Sequence, residues 1–522
     1  MRRLKIHTFL ALLIAATTSS LCLGQMVGEA DSQFGQAGQL SLAKVDQTQI
    51  PLLLNPLSDG SFFTTQTLSD ESIAFVEVRK FLKEGQEDPT FATNGVRKIM
   101  LEGAVQQVVV AKDSSIYLCG FVQRGRERDI WVMRLKPDGK TDPSFGTQGV
   151  LTHSVAEQDV AECLQILPDK DLLIAGTSYS PDQLDRDIFV MKVNQDGRVD
   201  FSYGRRGIAI LDFSKDDRVK SIQVRHDGRL VIAGNSRPDR LSRFMVARLL
   251  PNGMKDPAFG HDGSVILPIG IDQSYLEAMI LLEDERIMLG GNAKMREQDQ
   301  GFDLVVTRLL PEGQWDPSYG QHGTYICDLH GADYFGGMRL QQDQMLVVAG
   351  MSGMEATVLR LREDGSLDPT FGRAGKSVHA SNSRMKSATI SLTAEENILI
   401  GLATNDGVHI KSLFGNPRLY GLDEILGFNW QVGEQANLAY SGLSFADGIQ
   451  VDAWVGGPII PTEARIAVSG IKSTEPVPRH VRFYAHLSLD SQRRYTFVWD
   501  SEGHAHWYWN GSFRNSWDAL KE

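Results

Sequence analysis

Asp142-Pro143-Ser144-Phe145-Gly146-Thr147-Gln148-Gly149 is a stretch of eight residues that recurs along the chain with few changes. We call it the turn phrase. The shortest interval between copies is 52 residues (Asp316 to Asp368) and the longest is 60 (Asp256 to Asp316). The seven copies begin at Asp31, Asp88, Asp142, Asp200, Asp256, Asp316 and Asp368.

Each residue type in the phrase favours a turn. The Asp side chain accepts hydrogen bonds from the N–H groups just after it, and Pro143 fixes φ at the next position. We expect the aromatic residue to pin the loop to the core, and the first Gly to adopt a positive φ. Ala92 replaces that Gly in the second copy, and we predict a negative φ for it. The phrase is a connector between repeating units or, alternatively, a ligand-binding loop present seven times.

The residues between copies follow the periodicity of β-strands. Apolar and polar residues alternate, β-branched residues are common, and turn signals recur about every ten residues. One repeat shows four strands, which we predict at Ile208–Leu211, Lys220–Val224, Leu230–Gly234 and Phe244–Leu250. Amphipathic stretches of helical length are missing from the sequence. The pattern therefore predicts an all-β region built from four-stranded sheets.

Four antiparallel strands cannot bury both of their faces alone, whereas sheets packed radially can. We predict a seven-bladed β-propeller within residues 25–415, followed by a small C-terminal β-sandwich-like domain. If the strand after each phrase completes the preceding blade, residues 39–45 close the ring against the last blade. An open solenoid is the alternative architecture.

A cation recurs at one strand position of successive repeats. We weigh two hypotheses for these residues: a cationic ring that lines a pore, or bridges from each cation to a turn Asp or to a carbonyl of the next blade. We favour the bridges. Asp129, Asp187, Asp303 and Glu355 lie five residues before four of the cations. The cations are Arg134, Lys192, Arg248, Arg308 and Arg360.

The turn phrase and its setting resemble the delta-60 repeat family of exported bacterial proteins. The resemblance covers roughly three quarters of the chain. It implies a β-propeller-like repeat domain in an exported or surface-associated protein, and it brings no catalytic residues. Ser32 and Phe201 in place of the proline, and Ala92 in place of the first Gly, depart from the pattern and suggest weaker turns in those copies.

The N-terminus has the features of a signal peptide over residues 1–24. Arg2, Arg3 and Lys5 precede an apolar run that is too short for a comfortable membrane span, and small residues allow cleavage before Gln25. We therefore expect a protein that is secreted, periplasmic or associated with the cell surface, with no integral membrane segment after cleavage. The net charge of −12 and the lack of basic runs argue against nucleic acid as a partner.

The sequence offers no motif for catalysis, a metal or a cofactor, and we predict no metal site and no cofactor. If Cys22 leaves with the signal peptide, Cys119, Cys163 and Cys327 remain, without the spacing of a disulfide framework or a metal site. Cys119 occupies a position that holds Ala or Gly in other repeats, such as Ala175. It is therefore predicted to be a small buried residue.

Residues 422–522 form an aromatic-rich β region with six of the eight tryptophans. In the predicted strand His504–Trp509, alternation places Trp507 and Trp509 on one face and Tyr508 on the other. Trp499, Trp507, Tyr508 and Trp509 are our ligand-binding candidates, because aromatic platforms suit sugars. The alternative is a domain core or a docking surface. His504 and His506 lack a third ligand for a metal.

The leading functional hypothesis is an exported non-enzymatic binding or scaffold protein. Its propeller would offer a rigid surface, and its C-terminal module would recognise a protein or glycan partner in the cell envelope. One alternative is a polysaccharide-active hydrolase or lyase with its site at the propeller axis. A second alternative is a cell-envelope assembly factor.

Overall fold

The computed structural model describes residues 27–415 apart from 29, 33, 37, 43–51, 71–72, 181–184, 298–300, 370 and 395. Beyond residue 418 it describes the backbone of eight strands. The described residues form strands and turns and no helix. None of them therefore forms a helix long and apolar enough to cross a bilayer. The larger compact unit contains Val27–Asn416, and the smaller one contains Pro417–Trp507.

The larger unit consists of strand β1 (Gln39–Leu42) and successive antiparallel groups of strands. Groups 1 to 3 are β2–β5 (Leu53–Pro56, Phe62–Asp70, Ile73–Phe81, Val96–Met100), β6–β9 (Gly103–Val110, Ile116–Arg124, Glu127–Leu135, Val150–His153) and β10–β13 (Gln158–Ile166, Leu172–Ser180, Asp185–Val193, Ile208–Leu211). Groups 4 to 6 are β14–β17 (Lys215–Val224, Leu230–Arg237, Arg243–Leu249, Ser264–Leu267), β18–β21 (Ser274–Leu281, Ile287–Ala293, Asp303–Leu309, Thr324–Cys327) and β22–β25 (Asp333–Leu340, Leu346–Ser352, Glu355–Leu361, Lys376–Ala380). Group 7 is β26 (Met385–Leu392), β27 (Ile398–Thr404), β28 (Val408–Leu413) and β1.

The all-β prediction is confirmed, but the prediction of seven separate sheets is not. Five groups are separate four-stranded sheets, whereas groups 2 and 3 form one sheet of eight strands. A single parallel pair, Arg128 with Gln158, joins these two groups. The Arg128 N–H donates to the Glu157 carbonyl at 3.0 Å, which links the starts of β8 and β10.

The N-terminal strand β1 completes group 7 by pairing antiparallel with β28, from Gln39 opposite Lys411 to Leu42 opposite Val408. The predicted closure by residues 39–45 is therefore confirmed for Gln39–Leu42. The first strands of successive groups contact one another in a circuit that returns from β26 to β2. We call these strands, β2, β6, β10, β14, β18, β22 and β26, the inner strands.

The apolar core lies between successive groups. Leu54 and Phe62 of group 1, for example, pack with Leu399 and Ile410 of group 7, and all four side chains are at least 95 % buried. Comparable clusters join each of the other neighbouring pairs. Because each group buries both faces against its neighbours, the repeat region has a continuous ring of apolar interfaces.

The C-terminal strands form two sheets. The five-stranded sheet has the order β29-β33-β34-β35-β36, and the three-stranded sheet has the order β30-β31-β32. The β-rich character predicted for this region is confirmed. The strands are β29 (Leu419–Gly421), β30 (Gln435–Ser444), β31 (Ile449–Pro458), β32 (Arg465–Ser473), β33 (Arg482–Asp490), β34 (Arg493–Trp499), β35 (His504–Trp509) and β36 (Ser512–Asp518).

Candidate functional site

The turn phrase folds as its residue types predict. The Asp142 carboxylate accepts hydrogen bonds from the backbone N–H of Ser144 at 3.2 Å and from its hydroxyl at 2.8 Å. Phe145 is fully buried, and Gly146 has a φ of 55°. Gln148 and Gly149 then take two successive positive φ angles, as in the two-residue hairpins that suit twisted strands. The phrase is therefore a compact loop that leads directly into an outer strand.

The prediction for Ala92 is wrong. Ala92 has a φ of 47°, close to the values of 52–58° at the first Gly in the other copies. Its N–H donates to the Asp138 carbonyl of the next group at 2.9 Å, and Phe91 beside it is buried. These contacts hold Ala92 in a conformation that its side chain disfavours.

The same hydrogen bond recurs in every copy of the phrase, where the residue at the first-Gly position donates its N–H to a turn carbonyl of the next group. The Gly372 N–H donates to the Val27 carbonyl at 2.7 Å and so closes the series. The phrase is consequently a staple between neighbouring groups, which favours the connector interpretation. The other pairs are Gly35–Glu84, Ala92–Asp138, Gly146–Asp196, Gly204–Asn252, Gly260–Glu312 and Gly320–Asp364.

The recurrent cations belong to the same staples. The Arg360 side chain is fully buried, its Nε donates to Asp368 at 2.7 Å, and its Nη1 donates to the Gly415 carbonyl at 2.7 Å. The guanidinium also lies 5.1 Å from the ring centre of Phe371. Arg134, Arg248 and Arg308 bind the Asp of their own phrase and a carbonyl of the next group in the same way, and Lys192 binds Asp171 and Asp200. The predicted bridges are confirmed, and the hypothesis of a cationic ring lining a pore is wrong.

Each inner strand from β6 to β26 contains a β-bulge that was not predicted from the sequence. The facing strand often carries a Gly there: a Cβ on Gly176, for example, would lie 2.0 Å from the Val160 carbonyl oxygen. In the sequence, a small residue followed by Gly recurs in the second strand of the groups, as in Ala175-Gly176. This recurrence was therefore a signal for the bulges. We call the extra residues the axial set: Gln106, Glu162, Lys220, Glu277, Gly336 and Lys386.

Every member of the axial set is the extra residue of a β-bulge, but the side chains of the members differ. Lys220 Nζ lies 2.8 Å from Glu277 Oε2, so neighbouring inner strands pair their charges directly. The Thr177 hydroxyl donates to Glu162 at 2.8 Å, while burial raises the pKa of Glu162 to about 7. The axial set therefore offers the cation of Lys386, the ion pair of Lys220 with Glu277, and the carboxyl group of Glu162, which titrates near neutral pH.

Two groups of carboxylates meet the distance requirement for a metal ion: Asp185, Asp187 and Asp212, and Asp303, Asp328 and Asp333. Arg296 lies 3.3 Å from Asp328 and compensates part of the second group's charge. Burial and neighbouring carboxylates raise the pKa of Asp187 to about 6. Acidic groups of this kind are common without an ion, so the clusters alone do not define a metal site.

The prediction that Cys119 is a small buried residue is confirmed. Cys119, Cys163 and Cys327 are free and buried, and burial raises the pKa of the Cys119 thiol to about 12. Cys119 faces Gln107 across the same bulge position at which Ala175 faces Cys163. Cys119 is therefore a small packing residue and has no thiolate character at neutral pH.

The C-terminal candidates lie in strands, but their side chains fall outside the described residues. Trp499 ends β34, and Trp507, Tyr508 and Trp509 lie in β35. The prediction that these four residues bind a ligand therefore stays a prediction.

Comparison with known proteins adds to this geometry. A family model described as "Domain of unknown function (DUF5122) beta-propeller" matches residues 226–259 and 341–371. The repeat region is a β-propeller. Both matched stretches run from an inner hairpin of the propeller to the aromatic residue of a turn phrase. The curated proteins contain no match to the chain.

Solved structures resemble the chain in fold. The polysaccharide lyase Uly1 is 10 % identical over 75 % of this chain and 98 % of its own, with a TM-score of 0.44. BBS1N in complex with ARL6DN is 12 % identical over 73 % and 97 %, with a TM-score of 0.41. The β-propeller domain of the Trilobed protease from Pyrococcus furiosus is 10 % identical over 71 % and 95 %, with a TM-score of 0.38. At these low sequence identities and TM-scores, the similarities do not support any conclusion about function.

Proposed function

We infer that the protein is an exported, non-enzymatic binding or scaffold protein that uses its propeller as a rigid interaction surface. The observation that supports this function is the axial set. Its backbone geometry repeats, but its side chains differ from group to group. In contrast, the recurrent residues of the phrase are used within the fold. Because the backbone of the bulge repeats while its side chain differs from group to group, the axial set is suited to binding an asymmetric ligand.

We assign the propeller seven blades and place it in the delta-60 repeat family, with groups 2 and 3 as two blades despite their shared sheet. Only one residue pair joins these groups. The corresponding place between groups 4 and 5 has a similar backbone hydrogen bond, from the Ser274 N–H to the Ser242 carbonyl at 2.9 Å. A small change in this bond is enough to separate or merge neighbouring sheets.

Residues 1–24 are assigned as a signal peptide, so that the mature chain is secreted or periplasmic. Expression with and without residues 1–24, followed by fractionation and N-terminal sequencing, tests this assignment. A mature chain that begins at Gln25 outside the cytoplasm is the expected result. Retention of Met1 in the exported chain would contradict it.

A charge swap tests the axial site. Lys220→Glu combined with Glu277→Lys keeps the ion pair and reverses its polarity, so the fold should survive. We expect the wild-type chain to capture envelope proteins or arrayed glycans that the swapped chain no longer captures. Exchanging the exposed pair Lys140 and Asp138 provides the matched control. Equal capture by all three proteins would contradict an axial binding site.

The C-terminal module is assigned to a protein or glycan partner, and to a β-sandwich-like fold. The test is a glycan array probed with the full chain and with its Trp507→Ala and Trp509→Ala variants. Loss of a specific signal without loss of folding would support a sugar platform. Unchanged signals in both variants would favour a docking role for this region.

One observation favours the alternative of a polysaccharide-active enzyme. Glu162, at the inner strands, has a pKa near neutrality, as general acid–base catalysis requires. If the purified protein cleaved a polysaccharide and Glu162→Gln abolished cleavage, the non-enzymatic function would be refuted. Co-purification with outer-membrane or secreted envelope proteins would instead favour an assembly factor.

A further inference from the structure

Arg339 lies on the inner strand β22, three residues after Gly336, the axial-set member without a side chain. Its side chain is exposed to solvent, and desolvation by the surrounding protein lowers the pKa of its guanidinium. Arg339 is therefore an accessible cation on one of the inner strands.

No carboxylate of the described residues forms an ion pair with Arg339. Its guanidinium donates one hydrogen bond, from Nη1 to the carbonyl of Met338 at 2.8 Å. A guanidinium has five donors arranged for planar oxyanions, so most of its binding capacity stays unused. The arginines of the turn phrases differ, because Arg248 and Arg308 bind both a carboxylate and a carbonyl.

A second polar group nearby also lacks a partner. Gln341 lies one residue beyond the end of β22, and its N–H donates to the Met345 carbonyl across the hairpin at 2.8 Å. Continued alternation along the strand places its side chain on the same side as that of Arg339. Gln341 is 1 % exposed, and neither its amide nitrogen nor its amide oxygen has a hydrogen-bond partner. Buried amides without partners are rare in folded proteins and require an explanation.

Desolvation of a cation costs free energy, which is why partly desolvated cations are usually paired with a counter-charge. The equivalent position on β14 shows a structural solution: Gln223 there accepts a hydrogen bond from the Leu281 N–H of the next inner strand. At this position β22 has the cation of Arg339 in place of the uncharged Gln, and Arg339 forms no ion pair among the described residues. This exchange is consistent with a ligand that supplies the negative charge.

We propose that Arg339 forms the centre of an oxyanion-binding site at the inner strands, which accepts the carboxylate or phosphate group of a small ligand or of a polymer end. The site rests on the proposed binding function and names its ligand chemistry. A guanidinium binds such a group through two parallel hydrogen bonds, which gives both charge and orientation.

Isothermal titration of the full chain with sodium glucuronate and with sodium phosphate, at constant ionic strength, tests the site. The wild-type chain should bind at least one of these anions, and the two titrations distinguish a carboxylate from a phosphate ligand. Arg339→Gln should weaken binding at least tenfold, and Arg339→Lys should weaken it less, because it keeps the charge but loses the planar fork. Arg126→Gln, at an exposed loop position, is the matched control and should bind like the wild type.

A thermal scan without added anion separates a binding role from a structural one. Arg339→Gln should melt at the same temperature as the wild type or higher, because it removes an uncompensated charge. A lower melting temperature, equal anion binding by the variant, or no binding of either anion by the wild type would overturn the proposal. If anion binding fails while the charge swap at Lys220 and Glu277 still alters capture, the binding function stands without this site.

Discussion

Glu396 should make the stability of the propeller depend on pH. It occupies the hairpin of group 7 at the position that Glu285 holds in group 5, and both residues have a φ near 70°. Glu285 forms ion pairs with Arg225 and, at 3.0 Å, with His226. The equivalent of Arg225 beside Glu396 is the uncharged Gln341. Burial, and secondly the carboxylate of Asp343, raise the pKa of Glu396 to about 7 from an ordinary value of 4.5.

The sign follows from the protons bound in each state. Below pH 4.5 Glu396 is protonated in both the native and the unfolded chain, and its ionisation does not change the free energy of unfolding. Between pH 4.5 and 7 the unfolded chain ionises first, so stability falls as pH rises and levels off above 7. At about 1.4 kcal/mol per pH unit, the total loss is about 3 kcal/mol.

Urea unfolding of the full chain at pH 4.5 and pH 8 tests this prediction. Glu396→Gln should leave the free energy of unfolding unchanged at pH 4.5 and raise it at pH 8, by up to about 3 kcal/mol. Glu285→Gln is the matched control, and it should destabilise the protein at pH 8 because Arg225 loses one of its two carboxylate partners and keeps only Asp227. Equal effects of Glu396→Gln at both pH values would refute the reasoning.

Three further predictions concern the staples and the closure. Arg360→Leu removes the cation from the carboxylate of Asp368, whose side chain is 2 % exposed, and should cost about 3–5 kcal/mol in urea unfolding. Lys192→Leu, at the equivalent but more exposed pair with Asp200, should cost at most about 1 kcal/mol. A reversed order of these two costs would contradict the role of burial. Ala92→Gly should raise the free energy of unfolding by about 1 kcal/mol, because it relieves a positive φ, whereas Gly146→Ala should lower it; a destabilising Ala92→Gly would show that the Ala side chain contributes packing. A chain that starts at residue 43 lacks β1 and the Val27 carbonyl, and should elute from size exclusion as aggregate or oligomer; a stable monomer with unchanged circular dichroism would show that closure is dispensable.

The parts of the fold that could be predicted from the sequence rest on local stereochemistry. The Asp, aromatic and Gly residues of the phrase each have one favoured use in a turn, and the strands follow from alternation. The bridges from Arg134 and Arg360 could be predicted because a buried cation needs a counter-charge and the phrase supplies an Asp at fixed spacing. Closure by Gln39–Leu42 followed from the need to pair the last edge strand.

The parts that could not be predicted depend on partners far away in the chain. Ala92 was assigned the φ that alanine prefers, but a hydrogen bond to the next group overrides this preference. The bulge at Glu162 is set by the register between β10 and β11, which no single strand reveals. Arg339 has no ion pair because no carboxylate of the described inner strands reaches it, and the sequence of β22 alone does not reveal this.

The pairing of β1 with β28 joins the two ends of the repeat region, and it has a consequence for the order of events during synthesis. The Gln39 side chain contacts His409, which lies 370 residues later in the chain. At roughly 5–20 residues per second, translation needs on the order of 20–70 s to deliver this partner. Throughout that interval the earliest strand has an open edge, and Leu40 and Leu42 lack the neighbours that they pack against in the finished ring. Ribosome stalling before residue 408 would therefore leave a nascent product that only a holding chaperone could keep from self-associating.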